Sequence, residues 1–108
     1  MRRGELWTVA GGVYATKPRP ALILQDDLFA DTASVTVVPL TTTRADAPLL
    51  RVPIEADEIT GLQHESFAVV DKVTTVRRDT VDARVGSLRS ERLVEVERAL
   101  MAFLGFAR

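Results

Sequence analysis

Along the chain, short stretches dense in β-branched residues are followed by a single stretch with helical spacing. Glu5 to Ala10 reads as a first strand, stopped by Gly11-Gly12, and the continuous apolar run Pro20 to Gln25 suits a buried strand. Ser34 to Thr41 and Phe67 to Val76 carry the same signal, and Val81 to Leu88 is a further candidate. Leu49 to Glu55 is weaker, because Pro53 cannot donate to a ladder and confines its strand to an edge or an end. Near the C-terminus, Leu93, Val96, Leu100, Phe103 and Leu104 recur at helical spacing, while Glu91, Arg92, Glu95 and Arg98 fall mostly on the outer side. Ser90 is placed to cap this helix, Glu91 sits in its positive first turn, and Gly105 is placed to end it. Asp27 to Ala30 and Asp57 to Leu62 are read as single helical turns. Five or six strands followed by one helix, without strand–helix alternation, predict a mainly antiparallel sheet curled into a small barrel, with the helix over one opening or face.

Composition narrows the class. At 108 residues the chain suits one domain, 1–108, with one core. Val (14) and Thr (11) supply nearly a quarter of the residues and favour pleated, half-buried surfaces. With no Cys, thiolate zinc sites, disulfide scaffolds and cysteine nucleophiles are excluded; one His excludes a multi-histidine metal centre. No metal or cofactor is expected. The formal charge of −1 argues against a bulk polyanion binder but leaves room for a local basic site. No signal-peptide pattern follows Arg2-Arg3, and no run approaches the roughly 18 apolar residues of a membrane span, so a cytoplasmic protein without a membrane partner is expected.

Three places invite chemistry. In Lys17-Pro18-Arg19-Pro20 each proline extends the residue before it, so Arg19 has a restrained backbone at the mouth of a strand. A guanidinium held there suits bidentate grip on a phosphate, although Lys17 and Arg19 would serve equally to solvate a loop. Alternation along the strand from Phe67 puts Val69, Asp71, Val73 and Thr75 on one face, so Asp71 is at a site, paired with an arginine or near the rim. Thr41-Thr42-Thr43 ends a strand, where hydroxyls satisfy turn amides or donate to a phosphoryl oxygen. His64, between Gln63 and Glu65, reads as a surface residue. The basic excess between Lys72 and Arg92 reads as a solvated face or a nucleic-acid contact.

Taken in order, five motifs resemble the MazF/PemK family of toxin–antitoxin endoribonucleases. They are Arg3-Gly4-Glu5-Leu6-Trp7, the run Lys17-Pro18-Arg19-Pro20-Ala21-Leu22-Ile23-Leu24-Gln25, Val37-Val38-Pro39-Leu40-Thr41-Thr42, Val69-Val70-Asp71-Lys72-Val73-Thr74-Thr75-Val76, and Gly86-Ser87-Leu88 before the helix. The resemblance spans essentially the whole chain. It implies a mainly β fold, a small SH3-like barrel of the CcdB/MazF toxin type with a C-terminal α-helix, assembled as a homodimer. It also implies metal-independent, sequence-specific cleavage of single-stranded RNA to 2′,3′-cyclic phosphate and 5′-hydroxyl ends, and a cognate antitoxin as partner. Arg19 and Thr41 match the family's catalytic arginine and threonine, and Asp71 falls where some members carry an acid assigned as base. Lys17, Thr42 and Lys72 are expected RNA contacts. Val69 stands where some members carry an arginine, so that residue's proton-donating role does not transfer, and the loop from Gly11 to Lys17 is short for the family. A gyrase poison on the same fold is the first alternative, opposed by the ending Gly105-Phe106-Ala107-Arg108, which lacks Trp-Gly-Ile. The second is a non-catalytic RNA- or protein-binding barrel.

Overall fold

A computed structural model describes residues 1–10 and 17–107; the Gly11-Gly12 stop and the rest of the short 11–16 segment lie outside the described residues. The strands are β1 (Glu5–Val9), β2 (Arg19–Ile23), β3 (Ser34–Thr41), β4 (Arg51–Ile54), β5 (Ser66–Val69), β6 (Thr74–Arg77) and β7 (Val81–Ser87), followed by helix α1 (Ser90–Phe103). All pairings are antiparallel. The sheet runs β4-β5-β3-β2-β1-β7, with β6 added to β3. Because β6 pairs with β3 and β7 with β1, and only a 3-10 turn (Arg78–Thr80) joins them, the flanks of the sheet are drawn towards each other.

The apolar runs are continuous because the central strands bury both faces. Leu22, Val38 and Leu40 join Leu6, Val52, Ile54, Ala68, Val70, Val96 and Leu100 in one cluster. On the alternate positions Ala21, Ile23, Val35 and Val37 form a second cluster with Trp7, Val9, Val76 and Val81. Pro53 sits on an edge strand, as expected, since β4 ends the sheet order. Pro39 lies inside β3 between the stretch that pairs with β6 and the stretch that pairs with β5, so its missing donor falls where β3 changes partners.

Three expectations are corrected. Phe67 to Val76 is not one strand. It is β5, a 3-10 turn (Val70–Lys72) and β6, because β5 pairs with the end of β3 while β6 pairs with its beginning. The Val70 amide turns to the Leu50 carbonyl (3.0 Å), and the Val70 side chain enters the core. Ser90 does not cap α1. The cap is Arg89, which makes no side-chain cap bond and instead donates from Nη2 to Asp57 Oδ2 at 2.9 Å. Phe103 and Leu104 are exposed, because the core under α1 ends at Leu100. Gly105 does end the helix. At φ +81° its N–H bonds to Ala102 O while the Phe106 N–H bonds to Met101 O, a Schellman closure. Among the described residues no helix is long and apolar enough to cross a membrane.

The turn around Asp57 to Thr60 locks β7. Asp57 Oδ1 accepts the Ile59 and Thr60 amides, and these donors, Thr60 first and then Arg89, hold its carboxyl below the ordinary value. A Cβ on buried Gly86 would stand 2.2 Å from the Thr60 carbonyl oxygen and 2.5 Å from that of Ile59. Backbone cannot give way as a flexible side chain does. Gly86→Ala is therefore expected to destabilise the fold by about 1–3 kcal/mol or more, lowering Tm by at least roughly 5 °C. An unchanged melting curve would show that the turn moves freely.

Candidate functional site

Arg19 opens β2 with its side chain exposed, between Pro18 and Pro20, and Lys17 just before it is exposed as well. Among the described residues the Arg19 guanidinium has no hydrogen-bond or ion-pair partner. Arg3, Arg44, Arg51, Arg84, Arg89 and Arg92, by contrast, are all tied to carboxylates. The restraint comes from the prolines and from the β1 pairing Val9↔Arg19.

Thr41 closes β3, half-buried, and its Oγ1 accepts the Thr43 amide at 3.1 Å. That bond uses a lone pair and leaves the hydroxyl proton available. The β2–β3 register runs Ile23↔Val37, Leu22↔Val38, Ala21↔Pro39. The ladder ends at Ala21↔Pro39, two residues after Arg19 on β2 and two before Thr41 on β3, so these two residues stand at neighbouring ends of adjacent strands. Both have the parity of Ala21 and Val37, so both project from the same face of the sheet. A cation and a hydroxyl thus stand at the ends of adjacent strands. Together they can hold an anionic tetrahedral or trigonal-bipyramidal group and donate to its oxygens.

Thr42 is exposed and lines a cleft of about 380 Å³ with Pro18, Pro20, His64 and Ser66, on the side of the sheet opposite Arg19 and Thr41. Asp71 is elsewhere. The strand face expected to carry it does not exist, because residues 70–72 form the 3-10 turn beyond the end of β5, whereas Thr41 neighbours the start of β5. Its Oδ1 takes a hydrogen bond from Arg51 Nη1 at 2.7 Å, both groups largely shielded from solvent. Arg51 also donates to the Leu50 carbonyl, so the pair ties β4 to the turn. Lys72, exposed, follows in the same turn. The structure therefore sets Arg19 and Thr41 at neighbouring ends of β2 and β3 with the same facing, and leaves Asp71 with Arg51.

A feature missed in the sequence lies next to Thr41. Phe67 pairs with Thr41 on one side and Pro53 on the other, and the Arg44 guanidinium carbon stands 5.4 Å from the centre of its ring. Phe67 was visible as a strand residue. Its neighbours were not, because they are set by the pairing of three strands.

A family model described as "PemK-like, MazF-like toxin of type II toxin-antitoxin system" matches residues 2–104. A protein named "Probable endoribonuclease MazF" from Mycolicibacterium smegmatis is 55% identical over 108 residues, covering 99% of each chain. A solved "Endoribonuclease in complex with its cognate antitoxin from Mycobacterial species" superposes with TM-score 0.82 at 24% identity, over 100% of this chain and 98% of that one. "Mycobacterium tuberculosis toxin MazF-mt6" gives TM-score 0.79 at 24% identity, over 94% and 96%. At that identity the solved structures speak to the fold.

Proposed function

Since the chain belongs to the PemK-like, MazF-like toxins of type II toxin–antitoxin systems, we propose that it cuts single-stranded RNA by transesterification at Arg19 and Thr41. What supports this reading is the exposed Arg19 guanidinium, without a partner among the described residues, at the start of β2, and the Thr41 hydroxyl at the neighbouring end of β3. RNA brings its own nucleophile. The 2′-oxygen attacks phosphorus, the bond to the 5′-oxygen breaks, and the products are a 2′,3′-cyclic phosphate and a 5′-hydroxyl. The proton lost from the 2′-hydroxyl passes to solvent, and the departing oxygen gains one. Arg19 stabilises charge on the phosphorane, and Thr41 donates to a non-bridging oxygen. Arg19 works as an electrostatic donor, through its positive charge and its planar set of N–H groups. Asp71 is assigned here to the Arg51 pair that braces β4, not to the base. Lys17 adds positive charge beside the phosphate, whereas Thr42, on the opposite side of the sheet, and Lys72, in the turn with Asp71, are given no contact at this phosphate.

In this reading residues 1–108 are one toxin domain acting in the cytoplasm, where its RNA is, and a cognate antitoxin restrains it. The support for an antitoxin is the relative of the same fold solved with one. Exposed Phe103, Leu104 and Phe106 at the end of α1 favour a homodimer. The test is RNA cleavage by purified protein with EDTA present. Expected are cyclic-phosphate and 5′-hydroxyl termini. A strict magnesium requirement or 5′-phosphate termini would refute the mechanism.

A further inference from the structure

We propose that Phe67 is a stacking platform for a nucleobase adjoining the phosphate at Arg19 and Thr41, covered by Arg44 until RNA arrives. This rests on the RNA-cleaving reading and extends it to base recognition. Leu40, Ala68, Val52 and Ile54 face the core, so their alternates Thr41, Phe67 and Pro53 form a row on the opposite face. Phe67 belongs to neither hydrophobic cluster. Thr41, Phe67 and Pro53 are paired across three strands, and Arg19 starts the next strand, β2, on the same face, so the surface runs from cation to hydroxyl, aromatic ring and proline ring. At about 5 Å per strand the ring lies roughly 10 Å from Arg19, within reach of a base on a nucleotide whose phosphate Arg19 holds.

Arg44 is an easily displaced cover. Its side chain is 79% exposed, and its acidic partner among the described residues, Glu65, is 55% exposed with an Nη2–Oε1 distance of 3.0 Å. Exposed cation–π contacts and exposed ion pairs are both weak, so a base gains more from the ring than Arg44 loses. Any base offers a π-face, and single-strand binders use aromatic rings this way.

The experiment uses Arg19→Ala protein, in which cleavage is expected to be slowed by roughly 10²–10³ with binding far less affected, and single-stranded oligoadenosine as the probe. Phe67→Leu keeps an apolar side chain of similar size and removes the π-face; it is expected to raise Kd roughly tenfold or more. Phe67→Trp should retain affinity and show tryptophan quenching on RNA addition beyond that of Trp7 in the Phe67 protein. Equal affinity for the Leu variant, or no added quenching at saturating RNA, would overturn the platform. In the Arg19-containing enzyme, Phe67→Leu should raise KM for cleavage more than it lowers kcat. Cleavage by the parent with KM unchanged in Phe67→Leu defeats only the platform. Added quenching in a protein whose parent cuts no RNA defeats only the chemistry and leaves the platform standing.

Discussion

Replacing Arg19 by alanine is expected to lower kcat for RNA cleavage by roughly 10²–10³ while weakening RNA binding far less. The guanidinium is free of protein partners among the described residues, so its donors meet the phosphorane as it forms without first breaking an ion pair. Arg19→Lys should rescue little, since an ammonium cannot reproduce the planar fork that spans two oxygens. The fold should survive both changes, because the side chain is exposed and its backbone is set by Pro18, Pro20 and β1. Steady-state kinetics with a melting curve on each variant make the check. A folded Arg19→Ala enzyme cutting at the parent rate would remove Arg19 from the reaction.

Thr41→Val should abolish most cleavage, and Thr41→Ser should keep most of it. Valine matches threonine in shape but cannot donate, whereas serine keeps the hydroxyl and the turn bond accepted from the Thr43 amide. Losing that turn bond explains little on its own, since Thr43 is exposed and water replaces the acceptor. Comparable melting temperatures for the two variants would separate lost chemistry from lost structure. Equal kcat for Thr41→Val and the parent would exclude the hydroxyl from the mechanism.

Ser34–Thr41 was readable to the residue, because its eight residues carry apolar side chains on both alternate sets and end in a threonine run. Arg19 was legible for a local reason, as two flanking prolines fix its backbone whatever surrounds it. The proposed pair with Thr41 was legible only through family resemblance. Twenty-two positions separate the two, and no local pattern encodes that one begins a strand where the other ends.

Local preference thus determined the strands, the helix with its Gly105 stop, and the edge position of Pro53. Tertiary structure decided where those preferences were interrupted. From Val69 to Val76 the β-branched residues favour a strand throughout, yet β3 has pairing room for two separate segments, and the chain must turn between them. That turn moves Asp71 off the face that alternation predicted and delivers it to Arg51. The same pairing sets Phe67 beside Thr41 under Arg44, because strand neighbours are chosen by the whole sheet, whereas periodicity records only which residues share a face.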